Sequence, residues 1–196
     1  MHMESHQSRC GWVTNDPVYL DYHDTVWGRP ETDSQQLFEK LCLDGQQAGL
    51  SWLTILKKQS GYEQAFHNFD PQKIVAMSEQ DLASLQQDTG IIRNRLKIES
   101  VVKNANGFLE IEKTQPFSEF IWQFTGGKTI INSWKDQSQV PVSTPESTAM
   151  TKALKQYGFT FVGETICYAF MQAVGMVNDH ETGCHCYEAA CAQAIR

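Results

Sequence analysis

The sequence predicts an all-α domain built of many short helices, and three observations carry that prediction. Apolar residues recur at helical spacing through most of the chain. Capping residues and prolines stand where those runs begin, and glycines where they end. The one strand signal, Thr129-Ile-Ile131, is too short to build a sheet.

In chain order, Thr32-Asp-Ser-Gln35 resembles a capping box, and Leu37, Phe38, Leu41 and Cys42 follow on one helical face. Asp44-Gly45 and Gly49 are expected to interrupt this helix before Trp52, Ile55 and Leu56 resume the pattern. Asp70-Pro71 places a cap before a proline at the first helical position, leading into Ile74 and Met77. Ser78-Glu-Gln-Asp81 caps a short helix carrying Leu82 and Leu85. Gly90 breaks it, and an apolar stripe from Ile91 through Ile98, Val101 and Ala105 to Leu109 predicts a longer helix to about residue 110. Phe120, Ile121 and Phe124 mark another short helix, and residues 126–144 read as irregular. Thr144-Pro145 opens a helix that stops at Tyr157-Gly158, and Phe161 to Val174 predicts a last, strongly apolar helix.

The 196 residues, 41% hydrophobic and 20% charged, suit one globular domain with a real core. We expect a polar lead at residues 1–9, a single domain over residues 10–188 and a C-terminal tail over 189–196. No secretory signal is apparent, and the longest apolar stretch, Thr165 to Val177, is interrupted by Gln172 and Gly175. A soluble, cytoplasmic, monomeric protein is the expectation. A net charge of −7 opposes broad, sequence-independent coating of nucleic acid but leaves room for a local basic patch. One such run lies between Ile91 and Lys103, where Arg93, Arg95, Lys97 and Lys103 face a single anion, Glu99.

The segment Leu82 to Ala105 reads as helix, tight turn at Thr89-Gly90-Ile91, and second helix. A helix N-terminus offers unpaired amides and a positive dipole end, both suited to a phosphate. Gly90 would permit a left-handed turn and close backbone approach, with Arg93 and Arg95 one turn further in. The spacing resembles a helix–hairpin–helix, at about residues 79–110, though any αα-corner can carry a glycine.

Aromatic residues gather elsewhere. Trp12, Tyr19, Tyr22 and Trp27 flank one glycine loop, and Trp52 follows a second, with a lone carboxylate at Asp44. Singly, such residues usually fill a core. Grouped around an acid, they suit a pocket for a flat heterocycle, above all a cationic one.

Six cysteines without a secretion signal speak against a disulfide framework. His180 and Cys184 stand four apart, and Cys10 and His23 are separated by twelve residues, so the two pairs could form one Cys2His2 site from opposite ends of the chain. His185, Cys186 and Cys191 compete on spacing, while Cys42 and Cys167 read as core thiols.

The segments CGW, YHDTVWG, DGQQAGLSW, TGIIRNR, FVGETICYAFMQAVGMVNDH and GCHCY, in this order, resemble the 3-methyladenine DNA glycosylase I family of the helix–hairpin–helix superfamily, over roughly residues 9 to 187. The resemblance implies a monofunctional enzyme that hydrolyses the N-glycosidic bond of 3-methyladenine in double-stranded alkylated DNA. It makes Tyr22 and Trp52 the base-stacking walls, with Trp27 and Trp12 nearby, and Asp44 the pocket acid. It further implies Leu50 as a wedge into the duplex, with a plain buried leucine as the alternative, and Gly90, Ile91 and Arg93 as DNA contacts. Cys10, His23, His180 and Cys184 become the ligands of one structural zinc ion. Asp44 departs from the glutamate usual in that family, which keeps open a protein that binds alkylated bases without cleaving.

Overall fold

The computed structural model describes residues 7–196, and the first six residues of the expected lead lie outside the described residues. Chain order gives α1 (Pro17–Thr25), α2 (Ser34–Gln46), α3 (Trp52–Leu56), α4 (Gln59–Ala65), α5 (Pro71–Val75), α6 (Glu79–Leu85), α7 (Arg95–Glu112) and α8 (Phe117–Trp122). Then follow β1 (Ile130–Ile131), α9 (Pro145–Gln156), α10 (Glu164–Ala173), β2 (Val177–Asn178) and α11 (Tyr187–Gln193). The fold is mostly helical, as expected. None of its helices is long and apolar enough to cross a membrane among the described residues.

The caps follow the sequence closely in places. Ser78 and Asp81 form a reciprocal capping box, with Ser78 N–H on Asp81 Oδ2 at 2.7 Å and Asp81 N–H on Ser78 Oγ at 3.1 Å. Asp70 caps α5 and Thr144 caps α9, each ahead of a proline. Five expectations need correction, the first being that α10 is the last helix: α11 follows it at Tyr187–Gln193, reaching into the expected tail with Ala190 buried. The α2 cap is Asp33, whose carboxylate accepts from Gln36 N–H at 2.9 Å, so the box at Thr32 does not form. Helix α2 also runs through Asp44-Gly45 to Gln46; Gly45 serves packing, because a Cβ there would meet the Phe161 carbonyl oxygen at 3.0 Å. Phe161 itself is left-handed at φ 55°, which delays α10 to Glu164. Finally, Ile130–Ile131 does find a partner, pairing in parallel with Val177–Asn178.

The core forms where α2 packs against α7, α8 and α10, with α5 on α7 and α9 on α10. Leu37, Phe38, Leu41, Phe66, Phe117 and Phe170 are fully buried there. At about 1.5–3 kcal/mol for each large apolar side chain, this cluster supplies the main stabilisation. A second, smaller cluster joins Cys10, Tyr22, Trp27, Ala173, Cys184 and Cys186, and so brings both ends of the chain together. Between the two clusters opens the cavity described next.

Candidate active site and metal centre

Helix α2 carries Lys40 and Asp44 one turn apart, facing the same way. Helix α1 contributes Tyr22 and α3 contributes Trp52, while Trp12 and Trp27 lie in the loops on either side of α1. All six line one cavity of about 180 Å³, together with Tyr19, Gln47, Gln172 and Asp179. The structure thus assembles every aromatic and acidic residue expected of the pocket. Trp12 and Trp27 meet edge-on at 5.0 Å between centroids, and Tyr22 and Trp52 lie tilted at 5.6 Å.

Two residues of this cavity were not singled out from the sequence. Lys40 donates to Asp44 Oδ1 at 2.6 Å, and its ammonium sits 3.4 Å from the centroid of the Trp52 ring. Ordinary i, i+4 spacing was the available signal, but it reads as a surface ion pair. Asp179 is the second. It accepts from Tyr168 Oη at 2.5 Å, Asn132 Nδ2 at 2.7 Å, Trp134 Nε1 at 2.8 Å and Gln172 Nε2 at 2.9 Å. Asp44, equally buried, keeps Oδ2 without a partner, and Trp52 Nε1 is likewise unpaired among the described residues. One acceptor and one donor are therefore free for a ligand in a cavity walled by rings. Burial pushes the Asp44 carboxyl up and the Lys40 amine down, each partly offset by the other.

Leu50 stands at an exposed loop tip, 40% accessible, so it is not the buried helix-start leucine of the alternative reading. Ser51 caps α3 just behind it, its hydroxyl oxygen accepting from Thr54 N–H at 3.2 Å. Lys97 of α7 holds this loop from below, its ammonium donating to the Gln46 and Ala48 carbonyls at 2.8 and 2.6 Å. The loop is thereby fastened to the helix that follows the hairpin.

The hairpin between α6 and α7 differs from the expectation in detail. Helix α7 begins at Arg95 with Asn94 as cap, so Arg93 precedes the helix instead of lying inside its first turn. Gly90 does not take a left-handed conformation. The close approach here depends on Gly61 of α4, where a Cβ would lie 2.2 Å from the Gly90 carbonyl oxygen, whereas a Cβ on Gly90 would meet tightly only Asp88 Oδ1, at 3.0 Å. Two amides of the turn are already engaged, Gly90 N–H by Asp88 Oδ1 at 2.7 Å and Ile92 N–H by the Tyr62 hydroxyl at 3.2 Å. The Ile91 side chain is buried in the core, which leaves only its backbone to face a partner. Arg93 is exposed, and Arg95 pairs with Glu99 at 2.6 Å.

Cys10, His23, His180 and Cys184 converge from the two ends of the chain, all buried, with donor atoms within 4.8 Å of one another. Tetrahedral zinc, with bonds of about 2.3 Å to sulfur and 2.0–2.1 Å to nitrogen, requires S···N separations of roughly 3.5–3.6 Å. The observed values are 3.5 Å for Cys10 Sγ to His180 Nδ1, 3.6 Å for Cys184 Sγ to His23 Nε2, and 3.7 Å for Cys184 Sγ to His180 Nδ1. The outer contacts agree. His23 Nδ1 lies 2.8 Å from Asp24 Oδ1, and His180 Nε2 lies 3.3 Å from the Trp27 carbonyl, which turns the other nitrogen of each ring inward. Backbone N–H groups of Glu181 and Cys186 point at the two sulfurs, at 3.4 Å each. Gly28 allows this closeness: its φ is 79°, and a Cβ would strike His180 Nε2 at 2.8 Å. The donor set and spacing fit the metal.

The competitors are placed as well. His23, Asp24, His185 and Cys186 form a second group within the same distance limit, but it shares His23 with the first and has only two buried members. Its Asp24 is occupied by Arg9 at 2.7 Å and by His185 at 3.0 Å. Cys191 lies apart, accepting from Asn178 Nδ2 at 3.3 Å.

Known proteins resemble this arrangement along nearly its whole length. DNA-3-methyladenine glycosylase 1 of Escherichia coli (strain K12) is 54% identical over 180 residues, covering 91% of this chain and 96% of that one. A crystal structure of 3-methyladenine DNA glycosylase I superimposes with a TM-score of 0.91 at 54% identity, over 92% of this chain and all of that one. The Staphylococcus aureus 3-methyladenine DNA glycosylase I, from a structural study of 3-methyladenine recognition, gives a TM-score of 0.89 at 42% identity, over 91% of this chain and 96% of that one. The family model described as methyladenine glycosylase matches residues 12–187, and the chain belongs to that family.

Proposed function

We propose that this protein is a DNA glycosylase that hydrolyses the N-glycosidic bond of 3-methyladenine in alkylated DNA. One observation carries the reading: in a chain of this family, a ring-walled cavity holds an unpaired acceptor, Asp44 Oδ2, beside an unpaired donor, Trp52 Nε1. Tyr22 and Trp52 stack on the extruded base, with Trp27 and Trp12 closing the cavity around them. Asp44 accepts a hydrogen bond from the base edge and favours its positive charge.

The substrate makes the chemistry light. An adenine methylated at N3 is already cationic while attached to the sugar. When the bond from C1′ to the base nitrogen breaks, its electron pair stays with the base, which departs neutral. Water supplies the oxygen that joins C1′ and gives up a proton. No strong general acid is needed, and a damaged base also costs less to unstack than a normal one. No motif places a lysine for attack on the sugar, and the lysine that lines the cavity, Lys40, is engaged with Asp44 and the Trp52 face, which supports a monofunctional enzyme. Borohydride treatment during turnover is expected to trap no covalent complex.

On the DNA side, Leu50 fills the gap left by the extruded nucleotide, and the hairpin, turned at Gly90, holds a backbone phosphate of the duplex through the Ile91 backbone and the exposed Arg93. Its superfamily relation is supported by the helix, turn and helix of α6 and α7. Cys10, His23, His180 and Cys184 hold one structural zinc ion. With four protein ligands such an ion has no open position, so it fastens the termini and supplies no reactive water. Residues 10–188 form a single domain that α11 carries on to Gln193, acting as a monomer in the cytoplasm.

The test is release of free 3-methyladenine from methylated duplex DNA by the native chain, Asp44→Asn and Asp44→Glu. Native release is expected, with loss of about 10²-fold or more in Asp44→Asn, the scale of removing one charge-stabilising group. Tight binding without release would favour a non-cleaving binder instead. Full activity in Asp44→Asn would remove the acid from its role.

A further inference from the structure

Lys40 belongs to the pocket, yet nothing in the reaction above uses it. We infer that Lys40 is a specificity-determining residue: its ammonium holds the Trp52 face and the Asp44 carboxylate, and a cationic base binds only by displacing it. The inference rests on the alkylated-base reading of the pocket.

Three features lead to it. The ammonium is 2.6 Å from Asp44 Oδ1, 3.4 Å from the Trp52 ring centroid and 5.8 Å from that of Tyr22. These are an acid and two ring faces, the same groups that recognise a flat cation. One face of Trp52 cannot hold an ammonium at 3.4 Å and a stacked base together, so any base stacking there displaces the lysine, at a cost common to charged and neutral rings. The charge balance also changes. With Lys40 in place, its positive charge offsets the negative charge of Asp44, and an arriving cation meets repulsion from the lysine. A neutral heterocycle meets none.

The lysine also has somewhere to go. It forms part of the wall of a second cavity of about 270 Å³, lined by Glu31, Gln36, Glu39 and Gln59. The four-carbon stem and rotatable head allow the ammonium to swing from Asp44 toward those carboxylates without movement of α2. Lys40 is thus a partition between two cavities, and its position sets how strongly the first one prefers a charged ligand over a neutral one.

The experiment titrates the full-length chain with two probes at mildly alkaline pH: 3,9-dimethyladeninium, a fixed cation, and 3-methyladenine as the neutral free base. Calorimetry is compared for the native chain and for Lys40→Met, Lys40→Gln and Lys40→Arg. Lys40→Met is expected to tighten the cation about tenfold more than the neutral base, both probes sharing whatever gain comes from the freed ring face. Lys40→Gln keeps a donor for Asp44 and should act in the same direction, so the result survives if Lys40→Met folds poorly. Lys40→Arg, which keeps the charge, should retain native discrimination. Equal effects on both probes, weaker cation binding in both uncharged variants, or no binding of either probe by any form would overturn the inference. Failure of the native chain to release 3-methyladenine from DNA would instead overturn the enzymatic reading, since the titration does not depend on cleavage.

Discussion

Asp179 and Asp44 line the same cavity, and each is only 2% exposed, but their surroundings are opposite. Asp179 accepts from four side chains drawn from α10 and the β1 region, and the next residue, His180, belongs to the metal cluster. Asp44 has one partner, a lysine able to turn away, and one bare oxygen. Buried polar groups are normally satisfied, because an orphaned one costs about 1–3 kcal/mol. The Asp179 side therefore behaves as framework, continuous with the clamp on the chain ends. The Asp44 side is incomplete without a ligand. Rigidity at one wall holds the rings in place, while incompleteness at the other leaves hydrogen-bonding capacity for the base.

The largest way to break this contrast is to open the clamp. Cys10→Ser removes one sulfur and leaves three converging ligands buried with no complete tetrahedron. We expect a loss of about 4 kcal/mol and a fall in melting temperature on the order of 10 °C. A strong chelator should shift the native chain similarly and leave the variant almost unmoved. Calorimetric melting with zinc stoichiometry on the same samples decides it. Melting that ignores both the substitution and the chelator would separate the clamp from the framework. Excision should fall only as far as the folded fraction does, because a closed four-ligand site offers no catalytic water.

A smaller effect sharpens the comparison within the cavity. Asp179→Asn turns an acceptor of four hydrogen bonds into a half-donor facing other donors, and should cost about 2–4 kcal/mol. Asp44→Asn should change stability by less than about 1 kcal/mol, since Lys40 can redirect its charge to the second cavity, while excision collapses. Urea unfolding and base release, measured for both variants, would reverse the assignment of the two walls if the stability losses came out equal.

How much of this was legible in the sequence follows the same division. The caps at Asp70, Ser78 and Thr144 could be read because a cap is a local bargain between neighbours. The aromatic and acidic pocket set came from residue type and grouping, and the four clustered Cys and His residues from composition and family likeness. Gly45 does not end its helix, because a glycine that admits a neighbour's backbone looks the same in sequence as one that stops a helix. Its partner, Phe161, lies far away along the chain. Lys40 escaped notice for a related reason. At i, i+4 from an acid it matches the pattern of a solvated surface pair, and only tertiary packing turns it over Trp52. The strand pairing of Ile130–Ile131 with Val177–Asn178 was similarly invisible, two residues on each side being held by what surrounds them.

The smallest expected effect concerns Glu39, in the second cavity beside Lys40. Burial, with Glu63 close by, pushes its carboxyl up to about 7 from an ordinary value of 4.5. The sign follows from proton counting. Between those values the folded chain keeps a proton that the unfolded chain has released, so stability is fully present below about pH 4.5 and falls as pH rises through about 7. The upper bound is about 3 kcal/mol, and sharing of the proton with the half-buried Glu63 should bring it to about 1–2 kcal/mol. Glu39→Gln removes the titration and keeps an acceptor for the Gln59 amide, now 3.3 Å from Glu39 Oε1. Urea unfolding at pH 5 and pH 8 should give nearly equal stabilities at the lower pH and an advantage to the variant at the higher. Parallel pH profiles would mean that the Glu39 carboxyl ionises in the fold as freely as in water, and that the second cavity is a better solvent for charge than its burial implies.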